Sequence, residues 1–335
     1  LLKKQGRTKN ELAAKLGLST KTIENNIAYI KNELEDETIL HISLDSGGIK
    51  YWLAGNEIET SLPPKKKKFY FKSAAFPDPY IYCKIPDDIE FYDPYYEKKC
   101  IALVPVADLH YGSIFADKKR FQKWIDWIAS NDYVYSINIG DTMEQSSKIS
   151  IAAGWTEQDL TPQEQLTETA KLLYPISDKL LFMTRGNHER RAVGPAGIDV
   201  MQIIANALNC VYKRVACLLD IEWRGNVWSA YCLHGGFSGY TEGGKLNRAL
   251  LPRRFTRDVD FYISAHVHDL TVKELRSFGP DRKNMKTKWN DEWCIISGSA
   301  YTYFGTYAQE KGLPPGVPGF VRINLYEDGD VHISL

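Results

Sequence analysis

Five apolar stretches of this chain each run directly into residues able to ligate a metal. Ile101-Ala102-Leu103-Val104-Pro105-Val106 leads to Asp108 and His110, and Tyr133-Val134-Tyr135-Ser136-Ile137-Asn138-Ile139 leads to Gly140-Asp141. Leu180-Leu181-Phe182-Met183 leads to Arg185-Gly186-Asn187-His188-Glu189. Val227-Trp228-Ser229-Ala230-Tyr231-Cys232-Leu233 ends at His234, and Phe261-Tyr262-Ile263-Ser264 precedes His266-Val267-His268. Short apolar runs bounded by polar residues read as buried strands. Open α/β proteins gather ligands at the carboxyl ends of their strands. The pattern therefore predicts an α/β fold with these side chains in one cleft.

A single histidine after a strand is usually a surface or structural residue. Here the whole chain has 7 histidines, and His110, His188, His234, His266 and His268 all stand at strand ends. Imidazole and carboxylate donors suit divalent transition ions. The absence of thiolates from the set argues against a structural zinc site. Asp108, His110, Asp141, Asn187, His234, His266 and His268 are too many for one four-coordinate ion. They suit two ions about 3.5–4 Å apart sharing a carboxylate, for which Asp141 is the natural bridge. Two such ions lower the pKa of a water held between them and clamp phosphoryl oxygens during in-line attack. The expected cofactors are two divalent ions, with Mn²⁺ preferred and Fe, Zn²⁺ or Ni²⁺ as alternatives.

The order Asp108-x-His110, Gly140-Asp141, Gly186-Asn187-His188-Glu189, His234 and His266-x-His268 resembles the calcineurin-like metallophosphoesterase superfamily over roughly residues 100–335. The resemblance implies a β-sandwich of two mixed sheets flanked by helices. It implies that Asp108, His110 and His268 hold one metal with Asp141, and that Asn187, His234 and His266 hold the second. His188 would approach the phosphate and protonate the leaving oxygen. Glu144, three residues after Asp141, would orient His188. Ala265 stands where the family usually has glycine, which leaves both histidines in place.

Within that superfamily two branches compete. Arg185 to Glu189 and His234-Gly235-Gly236 look like the phosphoprotein phosphatases. Gly140-Asp141-Thr142-Met143-Glu144-Gln145-Ser146, however, lacks the phosphate-binding arginine of that branch. The paired His266 and His268, with Asp108-Leu109-His110-Tyr111-Gly112, resemble the nuclease and phosphodiesterase branch. Arg190 and Arg191 are the leading substrate-binding candidates beside His188. Arg185, Lys245, Arg248, Arg253, Arg254 and Arg257 are further basic groups near the site in sequence. Tyr301-Thr302-Tyr303-Phe304 could stack a splayed base, although core packing is the commoner use of such a run.

The first 60 residues read as a separate winged helix-turn-helix. Thr8 and Glu11 have capping-box spacing, and Gly17 closes the first helix. Ser19 caps a second helix, along which Ile23, Ile27, Ile30 and Leu34 recur at helical spacing. Strands Thr38–Leu44 and Ile49–Leu53 flank a turn at Asp45-Ser46-Gly47-Gly48. Lys21, Thr22, Asn25 and Asn26 would lie on the exposed side of the second helix and suit phosphate and base-edge contacts. A winged helix that only dimerises or binds protein is the alternative. Residues 61–99, with Lys65-Lys66-Lys67-Lys68, Pro77, Pro79, Pro86 and Pro94, read as a linker. Residues 100–335 form the catalytic domain. Residues 273–288 read as a basic loop, and a final hairpin turns at Asp328-Gly329.

A winged helix fused to this site points to DNA as partner and to a DNA-acting nuclease or phosphodiesterase. A protein or nucleotide phosphomonoesterase, with the winged helix binding a protein partner or a second copy, is the alternative. Six cysteines without a C-x-x-C pair read as buried thiols in a reducing, cytoplasmic compartment. No apolar run reaches the roughly 18 residues of a membrane span. Leu1 to Gly6 read as the end of a helix rather than a signal peptide.

Overall fold

The computed structural model describes residues 42–45, 48–51, 63, 65–146, 156–236 and 241–335. The chain divides into two compact units, Leu1–Leu62 with Ala192–Ile198, and Pro63–Arg191 with Asp199–Leu335. In the first, strands β1 (Ile42–Asp45) and β2 (Gly48–Tyr51) pair antiparallel with Asp45 opposite Gly48, the hairpin expected there. The two expected helices, with Lys21, Thr22, Asn25 and Asn26, lie outside the described residues.

The second unit holds two mixed sheets. One carries β6 (Lys98–Val106), β7 (Val134–Asn138), β8 (Leu180–Met183) and β9 (Val211–Tyr212) in parallel, with β15 (Arg322–Tyr326) and β16 (Val331–Ser334) on the other side of β6. The other runs β13 (Leu270–Asp281), β14 (Lys286–Ser297), β12 (Phe261–Ser264), β11 (Asn226–Leu233), β10 (Ala216–Trp223), β4 (Tyr80–Lys84) and β3 (Tyr70–Ser73). Every residue of β7, β8 and β12 is buried, which is why these strands are continuously apolar. Strands β10 and β11 alternate instead, turning Leu219, Ile221, Trp223, Ala230 and Cys232 into the shared core with Leu103, Ile137 and Ile323.

Local sequence explains the helices. Asp117 caps α1 (Lys118–Ser130) by accepting from the Arg120 N–H, and Phe121, Ile125 and Ile128 form its buried stripe. Thr161 and Glu164 form a reciprocal capping box on α2 (Pro162–Leu173), with proline at its first position. Buried Lys179, just before β8, donates to the carbonyls of Ile128, Ala129 and Asn131 and satisfies the end of α1.

Two expectations fail. Residues 61–99 are not a free linker, because β3, β4 and β5 (Phe91–Asp93) pair into the two sheets. The alternation in Tyr80-Ile81-Tyr82-Cys83-Lys84 buries Ile81 and Cys83 against β10, while Pro77, Pro79, Pro86 and Pro94 lie between strands. The lysine run is docked as well: Lys65 and Lys67 donate to the carbonyls of Pro175 and Ser177, and Lys68 pairs with Asp132 at 2.8 Å. Residues 273–288 are not a loop. They belong to the long β13–β14 hairpin, whose register runs from Leu270 opposite Ser297 to Asp281 opposite Lys286. Solvent on both faces of its outer part removes the apolar alternation that marks a strand. The closing hairpin forms as expected, with Gly329 at φ 92°. Among the described residues no helix is long and apolar enough to cross a membrane.

Candidate metal centre

The loops after β6, β7, β8, β11 and β12 converge at the carboxyl ends of their strands. The backbone there is held in an uncommon conformation. Asp108, His110, Asp141, Gln145, His266 and His268 have φ of 50°, 48°, 47°, 46°, 75° and 52°. Left-handed backbone at a residue with a Cβ costs on the order of 1–3 kcal/mol and persists only where the surroundings over-determine it. Here it turns consecutive functional side chains toward one point.

Glu189 is the main constraint on the loop after β7. Fully buried at the start of α3 (Asn187–Ala196), it accepts the N–H groups of Asp141 (3.0 Å), Thr142 (2.7 Å), Met143 (3.0 Å) and Gly186 (2.8 Å). Two glycines permit the approach. A Cβ on Gly186 would lie 2.0 Å from Asp141 Oδ1, and one on Gly140 would lie 2.2 Å from the Gly186 nitrogen. Asp141 Oδ1 also accepts the His188 N–H at 2.8 Å.

Two groups of ligand atoms result, each within 4.8 Å: Asp108, His110 and His268, and Asp141, His234 and His266. In the first, His110 Nε2 and His268 Nε2 are 2.9 Å apart, and Asp108 Oδ1 lies 3.6 Å from His268 Nε2 and 3.9 Å from His110 Nε2. That carboxylate oxygen is buried without a hydrogen-bond partner, while Oδ2 accepts the His266 N–H at 2.7 Å. In the second group, His234 Nε2 lies 3.1 Å from both Asp141 Oδ2 and Asn187 Oδ1. His234 Nδ1 donates to the Ile139 carbonyl at 2.9 Å, which turns the Nε2 lone pair toward the cluster. The orphaned Asp108 oxygen and the opposed imidazole nitrogens fit the divalent ions expected from the sequence.

The electrostatics agree with that donor set. Burial lowers His266 to about 4, and burial with neighbouring His110 holds His268 well below the usual histidine range. Both are therefore neutral near pH 7, the ligating form. Burial pushes the Asp108 carboxyl up. Burial acts the same way on Asp141, but neighbouring His234 and His188 outweigh it and hold that carboxyl well below its ordinary range. Against its own burial, His234 is raised to about 9 by the Asp141 carboxylate. To hold a divalent ion, His234 would have to be in its neutral form.

A third group joins His110, Glu144 and His188. Glu144 Oε2 meets His110 Nδ1 at 3.0 Å, and Oε1 accepts from Ser146 Oγ at 2.6 Å and Arg191 at 3.1 Å. His188 Nδ1 donates to the Glu144 carbonyl at 3.0 Å, and its Nε2 lies 3.0 Å from an Arg191 nitrogen and 3.8 Å from Asp141 Oδ2. Burial alone would raise the Glu144 carboxyl, but its bonds to His110 and His188 pull it far below. Opposing its burial, Asp141 and Glu144 raise His188.

The structure thus brings together Asp108, His110, Asp141, Asn187, His234, His266 and His268, with His188 and Arg191 beside them. Arg190 is exposed on α3 and makes no side-chain contact to the cluster among the described residues. Arg185 pairs with Asp199 at 2.8 Å, Lys245 with Asp269 at 3.0 Å and Arg253 with Glu292 at 2.6 Å. Those three basic groups are committed to internal partners. The Tyr301 ring lies tilted beside His110, with ring centroids 4.8 Å apart, whereas Phe304 is exposed. Sequence reasoning assigned no role to Glu189 or Ser146. Glu189 was visible in the motif, but an acid in the first turn of a helix is common, and only the fold brings the β7 loop to it.

Comparison with known proteins agrees with this geometry. A curated relative, the dimerizing cyclase phiC of Fungal sp. (strain ATCC 74256), is 24% identical over 132 residues, or 36% of this chain and 53% of that protein. The chain spans about half the length of the curated relative it matches. The family model for calcineurin-like phosphoesterases matches residues 103–303, well over half of the chain and all five strand-end clusters. With candidate metal-ligand groups at those strand ends and this match over more than half of its length, the chain belongs to the calcineurin-like phosphoesterase family.

Proposed function

We propose that this chain is a two-metal-dependent phosphoesterase that hydrolyses phosphodiesters, with DNA as its substrate. The observation that carries the reading is the pair of adjoining donor groups, Asp108 with His110 and His268, and Asp141 with His234 and His266, with Asn187 Oδ1 beside His234 and Asp108 Oδ1 left without a partner. Asp108, His110 and His268 would hold one divalent ion and Asn187, His234 and His266 the other, with Asp141 shared. Mn²⁺ is the expected ion. When bound, the two ions supply Lewis acidity to the phosphoryl oxygens and acidify a water between them.

The chain's own groups do the remainder. Arg191 supplies positive charge at the edge of the cluster for a non-bridging phosphate oxygen. In the free protein Arg191 donates toward His188 Nε2, which keeps that nitrogen an acceptor. A phosphate that takes the Arg191 N–H groups frees His188 Nε2 to carry a proton. The raised pKa of His188 suits donation of that proton to the leaving oxygen. Glu144 fixes the Nδ1 side of His188 and so its ring orientation.

The paired His266 and His268 support a diester over a monoester, as does the lack of an arginine close after Asp141. The six cysteines are free and buried, which suits a reducing, cytoplasmic setting. The test is hydrolysis by the purified chain, with Mn²⁺, of bis-p-nitrophenyl phosphate, p-nitrophenyl phosphate and end-labelled DNA. Turnover of both the small diester and DNA is expected. Turnover of the monoester alone refutes the diester reading in favour of a protein or nucleotide phosphatase.

A further inference from the structure

Strand β13 begins two residues after His268 and continues with β14 as a twelve-residue antiparallel ribbon. Only its base belongs to the sheet, because β12 pairs with β14 at Trp293 to Ile296 and no further. Beyond Leu275 and Glu292, which still meet an α-helical segment and Arg253 beside the sheet, the two strands pair only with each other, a reach of about 20 Å at ~3.4 Å per residue. An exposed ribbon of this kind is normally blunted by charge against other chains. Toward the tip the charge is mostly of one sign, with Asp281 the single acid among residues 281–288. From 282 to 288 the chain offers Arg282, Lys283, Lys286 and Lys288 and no acid. Among the described residues none of these four forms an ion pair. Arg276 and Asp291, lower on the ribbon, neutralise each other at 2.6 Å.

The ribbon also carries large exposed aromatic surface. Phe278 and Trp289 are direct cross-strand partners, with ring centroids 5.3 Å apart, yet they are 70% and 59% exposed. Lys286 and Lys288 pair with Asp281 and Gly279, so by strand alternation they stand on the face opposite that aromatic pair. One face is therefore aromatic, and the other face and the tip are basic.

We infer that the outer part of the β13–β14 ribbon is a nucleic-acid-binding arm, which grips the substrate strand away from the metal centre. The inference rests on the nucleic-acid reading of the substrate. A two-stranded ribbon fits a B-DNA major groove about 12 Å wide. The four unpaired basic groups would neutralise backbone phosphates, and Phe278 and Trp289 would offer a stacking surface to a base. The ribbon follows His268 so closely in sequence that bound substrate would extend from the metals along it. A protein partner would meet the aromatic pair equally well, but the unpaired charge complements a polyanion.

The test measures binding of the full chain with Mn²⁺ to a fluorescein-labelled phosphorothioate duplex, and to its single strand, by anisotropy across a salt series. Replacing Arg282, Lys283, Lys286 and Lys288 together by Gln should weaken binding at least about tenfold at low salt. It should also reduce the slope of log K against log salt by about 2–4. Trp289→Ala should weaken binding about fivefold or more. Both variants should hydrolyse bis-p-nitrophenyl phosphate at the wild-type rate. If the fourfold variant loses that activity, Arg282→Gln with Lys283→Gln, both in the turn outside the strands, is read in the same way. Unchanged affinity and slope in the variants, with wild type binding DNA, overturn the arm and leave the nucleic-acid reading standing. Wild type that neither binds nor cuts DNA or RNA overturns both. Loss of a dimer on sedimentation of Trp289→Ala, with DNA binding intact, assigns the ribbon to a protein interface and overturns the arm.

Discussion

Two buried glutamates flank the metal centre and are used in opposite ways. Glu189 accepts only backbone N–H groups, four of them, and joins the loop after β7 to the loop after β8. Glu144 accepts only side chains, from His110, His188, Arg191 and Ser146. One carboxylate fixes where the chain goes; the other fixes which way the His110, His188 and Arg191 side chains point. The comparison separates the residues that build the site from those that set its chemistry, and each can be perturbed alone.

The largest effect should come at Asp141, which belongs to both networks. Asp141→Asn should lower kcat/KM on a small diester by at least about 10³-fold, since it removes a charged ligand from the cluster and weakens metal affinity. Next is His188→Ala, which should lower turnover about 10²–10⁴-fold while bound metal stays at the wild-type level. Metal loss in that variant would place His188 among the ligands. Glu189→Gln should act chiefly on the fold. The amide cannot accept four N–H bonds, and a buried donor set left unpaired costs about 1–3 kcal/mol per group. A drop of several degrees or more in Tm is the expected readout, and an unchanged Tm would break the distinction between the two glutamates.

Glu144→Gln should do the reverse. Tm should move by little, while kcat falls about 10–100-fold as His188 loses its orienting partner. Because Glu144 and Asp141 raise the His188 pKa, removing the Glu144 charge should lower it. The alkaline limb of the kcat profile, where a proton-donating His188 is lost, should then move to lower pH. A limb that stays in place would show that another group carries the proton. The smallest contrast is between neighbours: Arg191→Ala should raise KM for the diester about tenfold, and exposed Arg190→Ala should change it less than twofold.

Much of this site was legible because strand ends and ligands coincide in sequence. The apolar runs before Asp108, Asp141, Asn187, His234 and His266 are strands buried on both faces or on one, so they announce themselves. The Thr161–Glu164 capping box with Pro162 at the first helical position is local as well, written in four consecutive residues. What was not legible depends on distance in the chain. Strands β3 to β5 looked like a proline-rich linker because the short alternation of Ile81 and Cys83 makes sense only beside β10. The β13–β14 ribbon looked like a loop because its outer residues have no core to face. Arg185, Lys245 and Arg253 looked like a basic track, and only the fold reveals Asp199, Asp269 and Glu292 as their partners.

Everything proposed for the chemistry depends on two ions sharing Asp141. The direct test is metal stoichiometry: Mn²⁺ titrated into chelator-treated wild-type chain by calorimetry, with the Asp141→Asn chain alongside. Two ions per wild-type chain, and fewer than two with weakened affinity in Asp141→Asn, are expected. A single ion in the wild type, or two equally tight ions in Asp141→Asn, would contradict the bridged two-metal centre.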